Sequence, residues 1–362
     1  MGDGDGDGAG AGGSDNWMSW TDVPQVEYST NTGDYSEYPL LCEMDEVLRL
    51  VGLLQPCVYS LVFTLGVLGN GLVLATYAQH QRLLVTDIYL FNLAVADLLF
   101  LFTLPFQAAA SQHGWVFGPV LCSLVHTVYK VNLYSGFLLL MCISIDRYFS
   151  IVWARAARRL RSRQLSLCRH ICLAVWVSSL LLSIPHLLYS RVEQYSARHC
   201  LLSYTAGLNS WLRVATPAVQ VLLGFLLPLL VMTFCYSVIV RTLLQVRGLE
   251  KHRTVRMVLL VVLVFVLCQT PYNIMLLLDT VRGNAGLECE QVKRRFLALQ
   301  VTSSLAYTRC CLNPLVYAFV GVKFRRNLLR CLGRWRRRAG PNSLSSSRAF
   351  NLNTDISSTG TR

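Results

Sequence analysis

Seven stretches of this chain, near 50–79, 86–111, 119–153, 164–190, 211–241, 254–281 and 296–320, are long and apolar enough to cross a lipid bilayer. A spanning helix needs roughly 20 apolar residues at ~1.5 Å each to cover ~30 Å of hydrocarbon. Repetition of that length leaves few folds open. Backbone N–H and C=O groups in hydrocarbon must be satisfied by the chain itself, and a helix does this locally. With 53% hydrophobic and 15% charged residues in 362, the composition excludes an ordinary soluble domain. The predicted fold is an all-α membrane protein, a seven-transmembrane helix bundle over residues 49–320.

Orientation follows from the short loops, where Lys and Arg favour the cytosolic side. Arg155, Arg158, Arg159, Arg161, Arg163 and Arg169 lie between the third and fourth spans, Arg241, Arg247, Lys251, Arg253 and Arg256 between the fifth and sixth, and Lys323 to Arg338 after the seventh. The opposite loops carry chiefly Arg191, Arg198, Arg282 and Lys293 to Arg295. This predicts a multi-pass plasma-membrane protein with an extracellular amino terminus and a cytoplasmic carboxyl terminus. The first 48 residues lack both a basic start and an apolar run, so no cleaved signal peptide is expected. The first span is then expected to carry the amino terminus across.

Residues 1–48 hold eleven acids and no Lys or Arg, so without them the net charge of +13 becomes +24. Such a Gly/Asp-rich segment buries too little apolar surface to fold and is expected to be a disordered extracellular tail. Tyr28, Tyr35 and Tyr38 stand among Glu27, Asp34 and Glu37, as candidate sulfation and ligand-binding residues. A basic protein ligand would be steered by this charge. No Asn-x-Ser/Thr sequon occurs.

Thirteen cysteines divide by side of the membrane. Only the oxidising face supports stable disulfides. Cys42, Cys122, Cys200 and Cys289 fall outside, and four cysteines allow three connectivities. Cys122–Cys200 with Cys42–Cys289 is preferred, because each bond joins neighbouring elements and closes a rim around an outward cavity. Most of the others suit small apolar filling.

A charged group inside a spanning helix is costly and usually marks a working site. Asp97, Asp146-Arg147-Tyr148 and Asn313-Pro314 with Tyr317 are spread over different spans rather than gathered in one reactive cluster. Neither a Gly-x-Ser-x-Gly elbow nor a His-Glu-x-x-His pair is present, which argues against an intramembrane hydrolase. Repeated halves, the mark of a transporter, are not evident. The expectation is a signal-transmitting bundle and not an enzyme, with no cofactor, no metal and no nucleic-acid partner.

These residues resemble the rhodopsin-like G protein-coupled receptors, and within them the C-C chemokine receptors, over residues 42–335. The resemblance rests on Gly69-Asn70, Leu93-Ala94-Val95-Ala96-Asp97, Trp176, Pro228 and Pro271. For the chemokine branch it rests on Thr103-Leu104-Pro105-Phe106, His113-Gly114-Trp115, Cys142 to Tyr148 and Cys310-Cys311-Leu312-Asn313-Pro314. Gln269, Lys130 and Leu276 to Thr280 look most like types seven, nine and ten, type ten first among them. The resemblance implies a receptor that binds a basic C-C chemokine outside the cell and activates a heterotrimeric G protein of the inhibitory class. It would support chemotaxis and calcium signalling in the immune response. A scavenging receptor that does not couple, or another peptide-binding rhodopsin-like receptor, is the alternative.

Residue by residue, the resemblance implies a ligand pocket of Gln107, Tyr129, Lys130, Tyr134, Tyr272, Ser303 and Tyr307. Ser303 stands where many relatives have glutamate, and Asp279 is expected to substitute as the acidic anchor. Asp146, Arg147, Tyr148, Tyr236, Pro271, Asn313, Pro314 and Tyr317 would serve G protein coupling. Arg147, Tyr236 and Tyr317 would converge as the sixth span swings outward about Pro271. Asn70, Asp97, Asn132 and Asn313 look like the family's buried ion site. Arg309, one turn before Asn313 and so on its face, is expected to replace sodium in part.

Beyond the seventh span, Phe324, Leu328, Leu332 and Trp335 recur every three or four residues among Lys323, Arg325, Arg326, Arg330 and Arg334. That pattern predicts a short amphipathic eighth helix over 321–338 on membrane lipid, with Cys331 as a palmitoylation candidate. Residues 339–362 read as a disordered cytoplasmic tail. Ser345, Ser346, Ser347, Ser357, Ser358 and Thr359 are candidates for a receptor kinase and arrestin.

Overall fold

The computed structural model describes residues 44–78, 84–194, 198–204, 211–245, 249–282 and 288–320. Tyr28, Tyr35, Tyr38, Cys42, the expected eighth helix with Cys331, and the serine- and threonine-rich tail lie outside the described residues. In chain order come α1 (Asp45–Ala78), α2 (Val85–Leu101), α3 (Leu104–His113), α4 (Gly118–Val152) and α5 (Ala154–Tyr189). Two short strands follow, β1 (Ser190–Gln194) and β2 (Arg198–Leu202). After them come α6 (Leu212–Val221), a π turn (Leu222–Leu226), α7 (Leu227–Gln245), α8 (Leu249–Arg282) and α9 (Cys289–Val320).

Six described segments are long and apolar enough to cross a membrane: α1, α2 with α3, α4, the Gln164–Tyr189 part of α5, α6 through α7, and the Leu259–Val281 part of α8. The seventh expected span, α9, has 32 residues and the necessary length. It falls short in apolarity because Lys293, Arg294 and Arg295 load one end and Arg309 sits in its interior. It packs against α1 and α8, so the polar load is carried by protein rather than by lipid.

Two expected spans are interrupted. The second breaks at Phe102 and Thr103, where the Thr103 hydroxyl donates to the Phe100 carbonyl at 2.7 Å. Pro105, in the first turn of α3, has no N–H to continue a helix from Leu101. The fifth contains the π turn just ahead of Pro228. Such bulges accommodate a residue that the regular ladder cannot. The strands β1 and β2 were not read from the sequence; they pair antiparallel with Val192 opposite Cys200.

The middle of the bundle is built around α4, which packs on α2, α5, α7 and α8. In its most apolar stretch 72% of residues are buried, against 28% in α1 and in α5, so α4 is the central pillar. Phe137, Leu140, Ile143, Tyr236, Ile239, Val261 and Phe265 form one core with residues of α1 and α2. A second core, at the disulfide end, gathers Tyr59, Phe100, Leu104, Tyr129, Tyr272 and Cys310. Leu53, Leu68, Leu181 and Leu230 are exposed, on the faces a lipid bilayer would solvate.

The Gly69-Asn70 pair has a mechanical reason. Pro314 has no N–H, so the Cys310 carbonyl loses its helical donor. The Asn70 amide replaces it, donating to the Cys310 carbonyl at 2.8 Å and to the Gly66 carbonyl at 2.9 Å. Gly69 lets the proline ring approach, because a Cβ there would lie 2.8 Å from Pro314 Cβ. Asn70→Leu keeps the volume and removes the amide. It is expected to cost about 1–3 kcal/mol, the penalty for an unsatisfied buried polar group. Gly69→Val should cost a similar ~1–3 kcal/mol by overpacking. Thermal unfolding of the purified protein measures both, and unchanged midpoints would remove this contact as a determinant of the α1 to α9 packing.

Candidate functional site

At the disulfide end of the bundle a cavity of about 870 Å³ opens between α1, α3, α4, α5, β2, α8 and α9. The bond between Cys122, at the start of α4, and Cys200, in β2, holds the hairpin beside its mouth. Trp115 strengthens the seam, with its backbone N–H donating to the Arg198 carbonyl at 2.7 Å and its indole N–H to the Gly118 carbonyl at 2.8 Å. Cys289 is also disulfide-bonded; its expected partner, Cys42, is outside the described residues.

Gln107, Tyr129, Lys130, Tyr272, Ser303 and Tyr307 all line this cavity. Their rings form one aromatic cluster: Tyr129 meets Tyr307 at 5.1 Å and Tyr272 at 6.4 Å, and Tyr307 meets Tyr59 at 5.6 Å and Phe100 at 5.0 Å. Lys130, 4% exposed, donates to Gln220 Oε1 at 2.5 Å and sits 5.2 Å from the Tyr129 ring centre. The Ser303 hydroxyl turns to its own helix, 3.0 Å from the Gln300 carbonyl.

Two expected pocket residues are placed elsewhere. Tyr134 is buried against Gly224 of the π turn and does not line the cavity. Asp279 pairs with Arg295 at 2.8 Å and is likewise absent from the lining. Its carboxylate is neutralised on the rim by a cation of α9, which the sequence spacing of 16 residues gave no reason to suspect.

The wall carries polar groups that sequence reasoning missed. His126, one turn before Lys130, lies 2.9 Å from the Ser190 hydroxyl. That hydroxyl donates to the His186 carbonyl at 2.6 Å, so His126 Nδ1 is the donor of the pair. His186, 3% exposed, lines the cavity with neither ring nitrogen hydrogen-bonded among the described residues. Gln55 and Gln300 join α1 to α9 at 2.6 Å. Asp45 is the sole acid among the described lining residues, against Arg49, Lys130 and Arg198. Burial lowers the pKa of His199, in β2, below the ordinary imidazole value, which keeps that ring neutral near pH 7. Cys122, Cys200 and His126 are close enough to hold a metal ion. The two sulfurs are bonded to each other, however, and offer no thiolate.

One level deeper, Asp97 is fully buried. Asn132 Nδ2 donates to its Oδ1 at 2.9 Å, Asn313 Nδ2 to its Oδ2 at 2.9 Å, and Arg309 Nη1 lies 3.4 Å from Oδ1. Asn70, expected in this group, points its amide at the Gly66 and Cys310 carbonyls instead. The cause is Pro314, which makes the Cys310 carbonyl the more demanding acceptor.

At the other end of α4, Arg147 Nη2 donates to Asp146 Oδ2 at 2.6 Å and to the Thr86 hydroxyl. Thr86 also donates to Asp146 Oδ2 at 3.2 Å. The arginine is held between two helices, and Thr86 is the partner that sequence reasoning did not identify. Tyr236, expected near Arg147, lies 3.2 Å from the Ser144 hydroxyl. Tyr148 stacks edge-on against Phe149 and tilts over Phe234. Pro271 lies inside α8, which runs on through it, and the Tyr317 side chain lies outside the described residues.

A family model described as "7 transmembrane receptor (rhodopsin family)" matches residues 69–317. C-C chemokine receptor type 7 of Homo sapiens is 43% identical over 302 residues, covering 83% of this chain and 80% of that protein. C-C chemokine receptor type 9 of Ovis aries is 40% identical over 314 residues, covering 86% and 84%. Atypical chemokine receptor 4 of Bos taurus is 36% identical over 324 residues, covering 88% and 91%.

Gln220 sits in α6 and Lys130 in α4, so their hydrogen bond ties the cavity floor across two helices. Gln220→Leu is expected to destabilise by about 1.5–3 kcal/mol, the range for a bond to a charged group. In a Lys130→Met background the same change should cost little. A double-mutant cycle on unfolding midpoints measures the coupling; strict additivity would show that the bond contributes nothing.

Proposed function

We propose a signalling role for this chain, which belongs to the rhodopsin family of seven-transmembrane receptors and within it to the C-C chemokine receptors. The cavity end faces outside, where it takes up the end of a basic C-C chemokine. The Arg147 end faces the cytosol and engages a heterotrimeric G protein of the inhibitory class, leading to calcium signalling and chemotaxis. Receptors of this kind are not enzymes, and the chemistry of nucleotide exchange takes place on the partner.

One observation carries the reading: α4 presents an open, polar cavity wall at one end and a sequestered arginine at the other. Lys130 and Arg147 are 17 residues apart in sequence, or ~25 Å along the helix. Ligand and effector therefore act on opposite ends of one rigid element, and binding shifts a population rather than breaking a bond. The loop charges support the orientation, and so does the disulfide, which needs an oxidising compartment.

Recognition has two parts in this proposal. The acidic segment 1–48, with Tyr28, Tyr35 and Tyr38, attracts the basic body of the chemokine. The cavity, whose lining cations outnumber its acids, receives an end rich in carbonyl oxygens. Membrane lipid under 321–338, a palmitate on Cys331, and receptor kinase and arrestin acting on Ser345 to Ser347 and Ser357 to Thr359 complete the assignment.

A second reading is favoured by the 36% identity to atypical chemokine receptor 4, and it is capture of a chemokine without coupling. A nucleotide-exchange assay separates the two, with the full chain in nanodiscs, an inhibitory-class heterotrimer and a panel of purified C-C chemokines. At least one chemokine is expected to accelerate exchange, Arg147→Ala to abolish the acceleration, and Thr86→Val to raise the ligand-free rate by loosening Arg147. Deleting residues 1–41 should weaken binding roughly tenfold, mostly through the association rate and most at low salt. Binding without exchange for every chemokine tested would establish capture and overturn coupling.

A further inference from the structure

We propose that Arg309 is the permanent counter-ion of Asp97 and that this bundle takes no sodium at its centre. A carboxylate flanked by two asparagine side chains has the hard oxygen atoms a sodium ion favours. The arrangement here does not suit one. A bound cation needs lone pairs directed at it, yet Asn132 and Asn313 present N–H donors to Asp97, one to each carboxylate oxygen.

The orientation of Asn132 is fixed from both sides. Its amide oxygen accepts from the Arg309 guanidinium while its nitrogen donates to Asp97. Turning the amide over would set NH2 against guanidinium and oxygen against carboxylate. The guanidinium therefore takes the Asn132 oxygen and turns that amide's N–H toward Asp97, so the oxygen is not offered to a metal ion.

Space and charge point the same way. Arg309 is 1% exposed, and its Cζ lies 4.5 Å from the centre of the Phe265 ring. A Cβ at position 136 would lie 2.9 Å from Arg309 Nη1 and 3.2 Å from Phe265 Cε2, so Gly136 provides the room the guanidinium fills. Arginine does not deprotonate in proteins. Asp97 is already matched by one positive charge at 3.4 Å, and a sodium ion would add an unmatched one in a region of low dielectric.

The arginine is a positioning residue that binds four helices together: Asp97 on α2, Asn132 and Gly136 on α4, Phe265 on α8, and Asn313 beside it on α9. A sodium ion in that place could leave, carrying its effect on stability and affinity with it. A tethered guanidinium can only rearrange.

The test is thermal unfolding of the purified full-length protein in sodium chloride and in potassium chloride at equal ionic strength. The wild type is expected to unfold at the same midpoint in both. Arg309→Asn should unfold at a lower midpoint in potassium and recover several degrees in sodium, and adding Asp97→Asn should remove that recovery. A wild-type midpoint raised by sodium, with the rise lost in Asp97→Asn, would overturn the proposal. A folded Arg309→Asn that ignores sodium would overturn it equally, because something other than Arg309 would then keep the ion out. Where Arg309→Asn alone does not fold, the Asp97→Asn, Arg309→Asn double variant decides. Recovery of folding supports charge compensation, and failure equal to that of the single variant sinks it.

Discussion

Hydrocarbon offers a helix no water, so any carbonyl that a proline uncovers must find a donor inside the bundle or cost several kcal/mol. That constraint organises the polar residues of this chain. Asn70 is committed to the Cys310 carbonyl above Pro314, and the commitment fixes how α1 meets α9. Asn132 and Asn313 are then the amides left to surround Asp97. Thr103 closes the break between α2 and α3 on the Phe100 carbonyl. Asn70, Thr103, Asn132 and Asn313 each answer a specific broken or charged group.

From this middle layer the two ends of the bundle are mechanically connected. Phe265, Gln269 and Tyr272 are spaced by four and three residues and so share one face of α8. Phe265 packs against Phe137 at 4.0 Å and under Arg309, Gln269 donates to the Ala306 carbonyl at 3.2 Å, and Tyr272 faces Tyr129 in the cavity wall. Pro271 interrupts the hydrogen-bond ladder within that face. A swing of α8 about the proline would move Phe265 and Gln269 relative to Tyr272, and so would change how the ring beneath the guanidinium sits against the cavity ring. Coupling between distant sites requires an element whose packing both sites can bias, and α8 touches both.

Much of this was legible in the sequence because burying a charge is costly and leaves a visible mark. Asp97, Lys130, Arg147 and Arg309 stand out in apolar runs, and each has a partner on another helix. What was not legible depended on distance in space rather than spacing in the chain. Thr86 lies 61 residues from Arg147, and a lone threonine at a helix start carries no signal. Asp279 reads as a free acid until α9 brings Arg295 to it. His126 has a local signal, a turn from Lys130, but a lone histidine in an apolar helix is more often a core residue than a working one. The β1–β2 pair was obscured because ten short residues held by a disulfide need little intrinsic strand propensity. The apolarity of α9 was overread, since a helix that protein encloses can carry charges a lipid-facing helix cannot.

The magnitudes also decide what keeps the Arg147 end closed. The Arg147–Asp146 pair, with side chains 18% and 9% exposed, is not deeply buried, and such pairs contribute about 1 kcal/mol or less. The Thr86 hydroxyl adds a hydrogen bond to the charged guanidinium, worth about 1.5–3 kcal/mol. In a two-state receptor of the proposed kind a 99:1 resting population takes about 2.7 kcal/mol, half of the ~5.5 kcal/mol needed to move it from 1:99 to 99:1, so a polar latch of this strength is of the right size to hold it. Packing acts beside it, with Tyr236, Ile239, Val261 and Phe265 from α7 and α8 in one buried core with Phe137, Leu140 and Ile143 of α4. Between helices in hydrocarbon that contribution is van der Waals packing rather than removal of surface from water. In the proposed receptor the Arg147 latch and the packed faces of α7 and α8 therefore act on one equilibrium.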